Sequence, residues 1–295
     1  MTTEQDFASR TKGLARRQRW STVMAWVLLL ATMVGILALI ALVVSIVTQG
    51  GPWLSWHLLT NMPSRKAEKA GLLPALVGSL WVISLTALIA FPIGVLAAIY
   101  LEEFAPKGKI SKIIEVNIAN LAGVPSVVYG LLGLGVFVNW LNLGRSVLSG
   151  ALTMALLVLP VVIISSREAI RAVPSSLRQA AFGLGATRWQ VAWHHVLPSA
   201  LPGILTGVIL SVSRALGETA PLIVVGAAAY VTFLPKSPLD KYTVLPMQIY
   251  EWSRRPKDDF QGLAAAGIIV LLVLLLILNA AAIWLRARAS RKVRW

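Results

Sequence analysis

The feature that most limits how this chain can fold is a series of six long apolar stretches with almost no formal charge. Each is long enough to cross about 30 Å of hydrocarbon, which takes roughly 20 helical residues. A chain of 295 residues that is 57% hydrophobic and 13% charged could not bury so much apolar surface in one water-soluble core. We therefore predict an all-α polytopic membrane protein, since a helix satisfies its own backbone hydrogen bonds in lipid. The predicted spans lie near residues 22–47, 75–100, 116–140, 147–166, 200–231 and 262–285.

The basic residues are distributed in a way that indicates membrane topology. The net charge of +15 would suit a nucleic-acid-binding protein, but 17 Lys and Arg residues lie on the side of the N-terminus and nine on the opposite side. Because cytoplasmic loops hold the excess of Lys and Arg, both termini are predicted to be cytoplasmic. The partner expected from this pattern is a lipid bilayer, with no nucleic acid. The first apolar stretch is too long for a signal peptide and is predicted to remain as a helix.

Several function classes are disfavoured by what the sequence lacks. The chain has no cysteine, and His57 is predicted to lie across the membrane from His194 and His195, so no metal site is expected. No glycine-rich GxxxxGK[ST] sequence is present, so any ATP must be hydrolysed by another chain. The apolar spans supply one acid and one guanidinium, which is too few groups for a membrane enzyme.

The second span ends in charged residues and a proline, and the third contains helix breakers. Glu102, Glu103 and Pro106 are predicted to close the second span on the cytoplasmic side. The third contains Pro125 and several glycines, which predicts a helix inside the bundle, where neighbours satisfy the freed backbone groups. Glu115 near its inner end is predicted to be an interhelical contact or part of an exit path.

The longest connection predicted to be cytoplasmic, residues 167–199, contains the start and stop signals of two short helices. Pro174 and the serines after it can begin a helix, Gly183 and Gly185 can end it, and Pro198 marks entry to the next span. Such a hairpin on the membrane surface is either a docking element for a cytoplasmic partner or a structured loop, and spacing alone leaves both open.

This connection resembles the EAA loop of type I ABC importer permeases. In that family the short helix of the loop sits in a groove on the ATP-binding subunit and transmits closure of the nucleotide sites to the membrane helices. Two positions depart from the pattern, since a glutamine replaces the usual first glutamate and His195 stands where an aliphatic residue is common. The matching residues are Gln179, Ala180, Ala181, Gly185, Leu197 and Pro198.

Two charged residues lie within the fifth apolar stretch. Arg214 and Glu218 would each cost about 2.5 to 3.5 kcal/mol at the centre of a membrane helix. Their i,i+4 spacing predicts that they lie about 6 Å apart on one helix face, where they can pair or share a polar cavity. A structural ion pair and a substrate route both remain open, and intramembrane charges favour the route.

The string around this pair, "SRALGETAPLIV", resembles the signature of phosphate transport permeases of the PstA type. Further matches are "GVPSVVYGLLG" in the third span and "LPMQIYEW" in the last outer loop, and the resemblance covers roughly residues 72–285. It implies a type I permease core of an ATP-driven, high-affinity importer of inorganic phosphate in the bacterial inner membrane. The expected substrate-path residues are Arg214, Glu218, Thr219, Ser126 and Tyr129.

The resemblance also implies partners and a division of the chain. The expected partners are a second homologous permease, a dimer of ATP-binding subunits that use ATP and Mg²⁺, and a periplasmic phosphate-binding protein; a sensor-kinase regulatory system is a further candidate. No cofactor is expected on this chain itself. The expected parts are a basic tail over 1–21, a first helix and outer loop over 22–71, the permease domain over 72–285 with its coupling loop at 167–199, and a basic tail over 286–295.

Two other functions remain compatible with the sequence. One is a permease for a different oxyanion such as sulfate, molybdate or phosphonate, which the string from Arg214 to Pro221 disfavours. The other is a phosphate-signalling scaffold, which an uptake measurement on an Arg214 variant would distinguish from a transporter.

Overall fold

The computed structural model describes residues 3–106, 108–228 and 230–290, with side chains between residues 17 and 288. Twelve α-helices, and no β-strand, occur in this described part of the chain. They are α1 (Thr3–Gly50), α2 (Trp56–Thr60), α3 (Leu73–Ile99), α4 (Lys109–Ala122), α5 (Ser126–Gly133), α6 (Val147–Arg171), α7 (Ser175–Gly183), α8 (Arg188–Gln190), α9 (Leu197–Gly217), α10 (Ala220–Val225), α11 (Leu245–Ser253) and α12 (Asp258–Ser290).

The number of membrane-spanning segments agrees with the sequence. Five helical segments of the described chain are long and apolar enough to cross a bilayer, and α4 and α5 together make a sixth when counted as one span. Short π-helical turns extend α3 through Tyr100–Phe104 and α5 through Leu134–Trp140, and another leads from α8 into α9. The prediction of an all-α polytopic fold is confirmed.

The third span is not the continuous helix over 116–140 that the apolar run predicted. It begins earlier, at Lys109, and turns by 101° between α4 and α5. Pro125 has no backbone N–H to donate, and Gly123 just before it ends α4. The Tyr129 hydroxyl donates to the Leu121 carbonyl across the bend at 2.7 Å, which holds the two halves at this angle.

The fifth span is also interrupted, so the continuous helix predicted over 200–231 is wrong. Helix α9 ends at Gly217, and Glu218 takes an extended conformation with ψ of 121°. After this break, α10 runs for six residues with a proline in its first turn. Gly226 ends α10 in the left-handed region, at φ of 103°, which costs glycine little.

The centre of the bundle is formed by α3, α6 and α9. Helix α6 packs along α3 and α9, and α10 contacts α5 and α6. Helix α1 lies at the periphery, where it packs on α12 and its spanning part has no buried residue. Large apolar side chains on this surface, such as Leu28 and Leu37, are exposed to the bilayer that the six spans require.

The structure adds detail at the ends of the chain and in the first outer segment. The outer loop expected within residues 22–71 contains α2, which contributes buried Leu58 to a core cluster with Leu72 and Trp252. The predicted basic tails are largely helical, since α1 begins at Thr3 and α12 ends at Ser290. Residues 1, 2 and 291–295 of those tails lie outside the described residues.

Candidate functional site

Three of the five predicted path residues meet around one small cavity. The bend before α5 brings Ser126 and Tyr129 to the end of α9, where Arg214 lies. The cavity holds about 20 Å³, which is room for about one water molecule. It is lined by Ala122, Val124, Ser126, Tyr129, Leu157, Val158, Val161, Ser211 and Arg214.

Arg214 and Glu218 form an ion pair, although not along a continuous helix. The Arg214 Nε lies 3.5 Å from the Glu218 Oε1. Arg214 is in the last turn of α9, where the helix dipole favours a cation, and Glu218 follows the helix end. The predicted pairing is present, but it depends on the end of helix α9 at Gly217 rather than on a shared helix face.

The pair leaves the outer edge of the guanidinium open. The Arg214 side chain is 63% exposed and that of Glu218 only 21%. Among the described residues, the Nε is the only nitrogen of Arg214 with a hydrogen-bond partner, so both terminal nitrogens are available to a ligand. Two parallel N–H groups on one planar edge match the oxygens of phosphate or a carboxylate.

Thr219 does not line the cavity. It directly follows Glu218 and precedes α10, and its carbonyl accepts a bond from the Ile223 N–H at 3.0 Å. Its side chain makes no capping bond to α10. The structure therefore brings Ser126, Tyr129 and Arg214 together, links Glu218 to them through the ion pair, and leaves Thr219 beside this group.

Gly130 sets the distance between α5 and α10. A Cβ atom at this position would lie 2.9 Å from both the Pro221 Cα and the Val224 Cβ. The missing side chain lets α10 approach α5 closely. This contact holds the start of α10, and with it the interruption between α9 and α10, beside the cavity. The string "GVPSVVYGLLG" contained this residue, but nothing in the sequence identified α10 as its partner.

The predicted pair of short helices in the connection over residues 167–199 is present. Helix α7 ends at Gly183, and Gly185 makes the turn with φ of 84°. Gln179 and Ala180 are exposed on α7, whereas Ala181 is buried. Helix α8 is capped by Thr187 and continues into α9, at whose start Leu197 is half-buried and Pro198 exposed.

An exposed apolar surface on this connection was not predicted. Leu184 in the glycine turn is 90% exposed. The Trp189 and Trp193 rings stack at 5.5 Å between centroids, and both are exposed, as is Phe182. Exposed apolar patches of this kind are typical of surfaces that contact another protein or a membrane. The signal was available in the sequence, as four large apolar residues in a connection predicted to face the cytoplasm.

A cluster of six charged residues at the base of the bundle was also missed. It joins the end of α3, helix α4, helix α6 and helix α7 by ion pairs of 2.7 to 3.3 Å. The sequence analysis treated its acids as helix-closing residues, or as an interhelical contact or part of an exit path, since partners 52 to 75 residues apart cannot be paired from one sequence. Its members are Glu102, Glu103, Glu115, Arg167, Arg171 and Arg178.

Comparison with known proteins gives consistent matches. Residues 90–294 match the family described as "Binding-protein-dependent transport system inner membrane component". The chain is 34% identical to the phosphate transport system permease protein PstA of Pasteurella multocida, covering 85% of this chain and 88% of that protein. It is 31% identical to the probable ABC transporter permease protein YqgI of Bacillus subtilis, covering 86% of this chain and 91% of that protein.

Solved structures support the fold. A bacterial alginate ABC transporter in complex with its pentasaccharide-bound periplasmic protein matches with a TM-score of 0.66 and 17% identity, covering 88% of this chain and 92% of that chain. The MetNI methionine ABC transporter matches with a TM-score of 0.57 and 15% identity, covering 72% of this chain and 93% of that chain. At these identities the likeness concerns the fold alone.

Proposed function

Because this chain belongs to the family of binding-protein-dependent transport system inner membrane components, we propose that it is a permease subunit of an ATP-driven importer of inorganic phosphate. The observation that supports this most directly is Arg214, whose two terminal nitrogens are open beside the cavity that Ser126 and Tyr129 line. The similarity to permeases named for phosphate transport supports the same substrate. The permease domain is proposed to span residues 72–285.

Arg214 and Glu218 are proposed to act together on the ion. The open edge of the guanidinium donates two charge-assisted hydrogen bonds to phosphate oxygens. Phosphate keeps at least one proton at neutral pH, and the Glu218 carboxylate accepts a hydrogen bond from that hydroxyl. Sulfate has no proton to donate, so the carboxylate repels it. Ser126 and Tyr129 complete the proposed path at the cavity, and Thr219 lies beside it.

Other chains are proposed to supply the energy and the rest of the path. The exposed face of Arg214 requires a second homologous permease to enclose the route. The exposed apolar surface around Leu184 and Trp189 suits a dimer of ATP-binding subunits, which would use ATP and Mg²⁺. A periplasmic binding protein would deliver phosphate to the outer loops. Both termini of this multi-pass membrane protein are proposed to lie in the cytoplasm.

Uptake by vesicles that contain all four kinds of subunit tests the role of Arg214. We expect Arg214→Gln to lower phosphate uptake about tenfold or more, because hydrogen bonds to a charged group contribute about 1.5 to 3 kcal/mol. Subunit assembly should stay intact. Arg288→Gln, at an exposed arginine in the last turn of α12, is the control and should transport normally. Normal uptake by Arg214→Gln, or loss of assembly, would favour a structural ion pair instead.

Selectivity tests the role of Glu218. We expect Glu218→Gln to reduce discrimination against sulfate, because the amide can donate to an oxyanion that the carboxylate repels. The measurement is competition between radiolabelled phosphate and unlabelled sulfate in the same vesicles. A variant that transports phosphate normally and still rejects sulfate would refute the proposed acceptor role.

A further inference from the structure

The ionic cluster at the base of the bundle has a firmly packed part and an exposed part. In the packed part, Arg178 donates from Nε and Nη2 to Glu103 at 3.1 and 2.9 Å. The same guanidinium donates to the carbonyls of Val173 and Ile170 at 2.7 and 2.9 Å. These four bonds tie α7 to the ends of α3 and α6. Since the side chains are only 21% and 13% exposed, removing either would leave a poorly solvated charge.

Arg167 extends the packed part along α6. Its Nε donates to the Glu102 Oε1 at 2.7 Å, and its side chain is 9% exposed. Through this pair and that of Arg178 with Glu103, helices α3, α6 and α7 are joined by charge-assisted bonds at two neighbouring points. These three elements therefore move as one unit at their cytoplasmic ends.

Glu115 is the only member of the cluster on α4. It lies 3.2 Å from the Nη2 of Arg167 and 3.3 Å from the Nη2 of Arg171. The Glu115 and Arg171 side chains are 44% and 43% exposed. Helix α4 contains no buried residue in this chain, so apolar packing holds it weakly. Two half-exposed ion pairs are thus the main polar connection between α4 and the unit formed by α3, α6 and α7.

Helix α4 leads directly to the candidate site. It ends at Ala122, and the bend that follows places Ser126 and Tyr129 at the cavity with Arg214. The Tyr129 hydroxyl holds the Leu121 carbonyl, so α5 cannot rotate freely when the end of α4 moves. A displacement of α4 therefore changes the position of the side chains that line the cavity.

We propose that Glu115 is a positioning residue that makes α4 follow α7, so that movement of the cytoplasmic connection is transmitted to the cavity at Arg214. This inference rests on the proposed function for the identity of the cargo and of the ATP-binding partner. The link is reversible, because its ion pairs are half-exposed and each contributes about 1 kcal/mol or less.

The first test compares two glutamates that share a partner. Glu115→Gln removes the link between α4 and α6. Glu168→Gln is the matched control, because Glu168 pairs with Arg171 at 3.4 Å within α6 and has no ion pair with another helix in the described part of the chain. In vesicles with all subunits, we expect the complex that contains Glu115→Gln to hydrolyse ATP at the wild-type rate but to transport about threefold less phosphate per ATP. Glu168→Gln should match the wild type, and Glu115→Asp should be intermediate.

The second test does not depend on the cargo. The chain has no cysteine, so spin labels at Lys112→Cys on α4 and Ser176→Cys on α7 would be unique within it. With cysteine-free partner subunits, the wild type should keep one narrow distance distribution with and without ATP. Glu115→Gln should broaden it. Equal distributions in the two proteins, or an unchanged ratio of phosphate to ATP, would overturn the inference.

These results separate this inference from the proposed function. If the wild type transports no phosphate, the proposed function fails, and the label distances alone decide the role of Glu115. If the wild type transports phosphate and Glu115→Gln behaves like Glu168→Gln, only the role of Glu115 is wrong. If Glu115→Gln no longer assembles, Glu115→Asp decides: a label-distance distribution and a ratio of phosphate to ATP equal to those of the wild type would also count against the inference.

Discussion

A few individual side chains determine what the fold can bind. Arg214 could be singled out from the sequence, because a guanidinium in an apolar run must have a reason to be there. Its surroundings could not be predicted, since the cavity that it shares with Ser126 and Tyr129 depends on a bend in another helix. The same limit applies to buried polar groups such as Tyr242, whose hydroxyl is buried without a hydrogen-bond partner among the described residues.

Tyr242 gives a prediction about stability and its pH dependence. Burial raises the pKa of Tyr242, so the folded chain holds the neutral phenol where the unfolded chain ionises. The wild type should therefore lose stability above about pH 10, the ordinary pKa of tyrosine, and Tyr242→Phe should lose less. At pH 8 the variant should be equally stable or more stable, because no unpaired hydroxyl is buried.

Apparent melting temperatures in detergent at pH 8 and pH 10.5 would check this. A lower melting temperature for Tyr242→Phe at pH 8 would mean that the hydroxyl has a partner outside the described residues. An equal loss of stability in both proteins at the higher pH would rule out titration of Tyr242 as its cause.

At the scale of the elements, the sequence predicted where helices exist better than where they break. Residues 116–140 and 200–231 are apolar on both sides of their breaks, so hydropathy does not distinguish a mild kink from a 101° turn. Pro125 was visible as a breaker, but proline alone does not fix an angle. The short helices of the cytoplasmic connection were predictable, because proline and glycine mark their ends locally.

The glycine turn after α7 gives a prediction for this element. Gly185 has φ of 84°, and an L-residue there costs roughly 1 to 2 kcal/mol. We expect Gly185→Ala to disturb the turn and to weaken association with an ATP-binding subunit, measured by copurification and by uptake. Gly183→Ala is the control, because that glycine has no unusual φ and a Cβ there would meet nothing within 4 Å. Equal loss in both variants would contradict the role of the turn.

At the scale of the whole molecule, the bilayer explains the surface that the chain presents. The family match begins at residue 90, and α1 contacts the bundle mainly through α12, so α1 is an addition at the edge of the permease core. The excess of Lys and Arg on one side predicts the orientation of all six spans together. The six-span fold followed from composition, whereas the packing of α10 and the ionic cluster required long-range contacts that no local pattern contains.

Orientation is tested by labelling single cysteines in this cysteine-free chain. Ser176→Cys on α7 should react with a membrane-impermeant maleimide only in inside-out vesicles. Leu239→Cys in the connection between α10 and α11, which is exposed, should react only in right-side-out vesicles. The reverse pattern would invert the proposed topology, and reaction of both from one side would contradict the number of spans.

The breaks between α4 and α5 and between α9 and α10 affect how fast such a molecule can work. In lipid, bending a continuous helix sharply would first break backbone hydrogen bonds, at a cost of several kcal/mol each. At residues 123–125 and 218–219 the regular helical pattern of bonds is already interrupted. Gly123, Val124 and Glu218 donate to carbonyls three residues back, and Pro125 has no N–H to donate. We therefore expect the proposed passage to widen by rotation about a few backbone angles, without local unfolding of a helix.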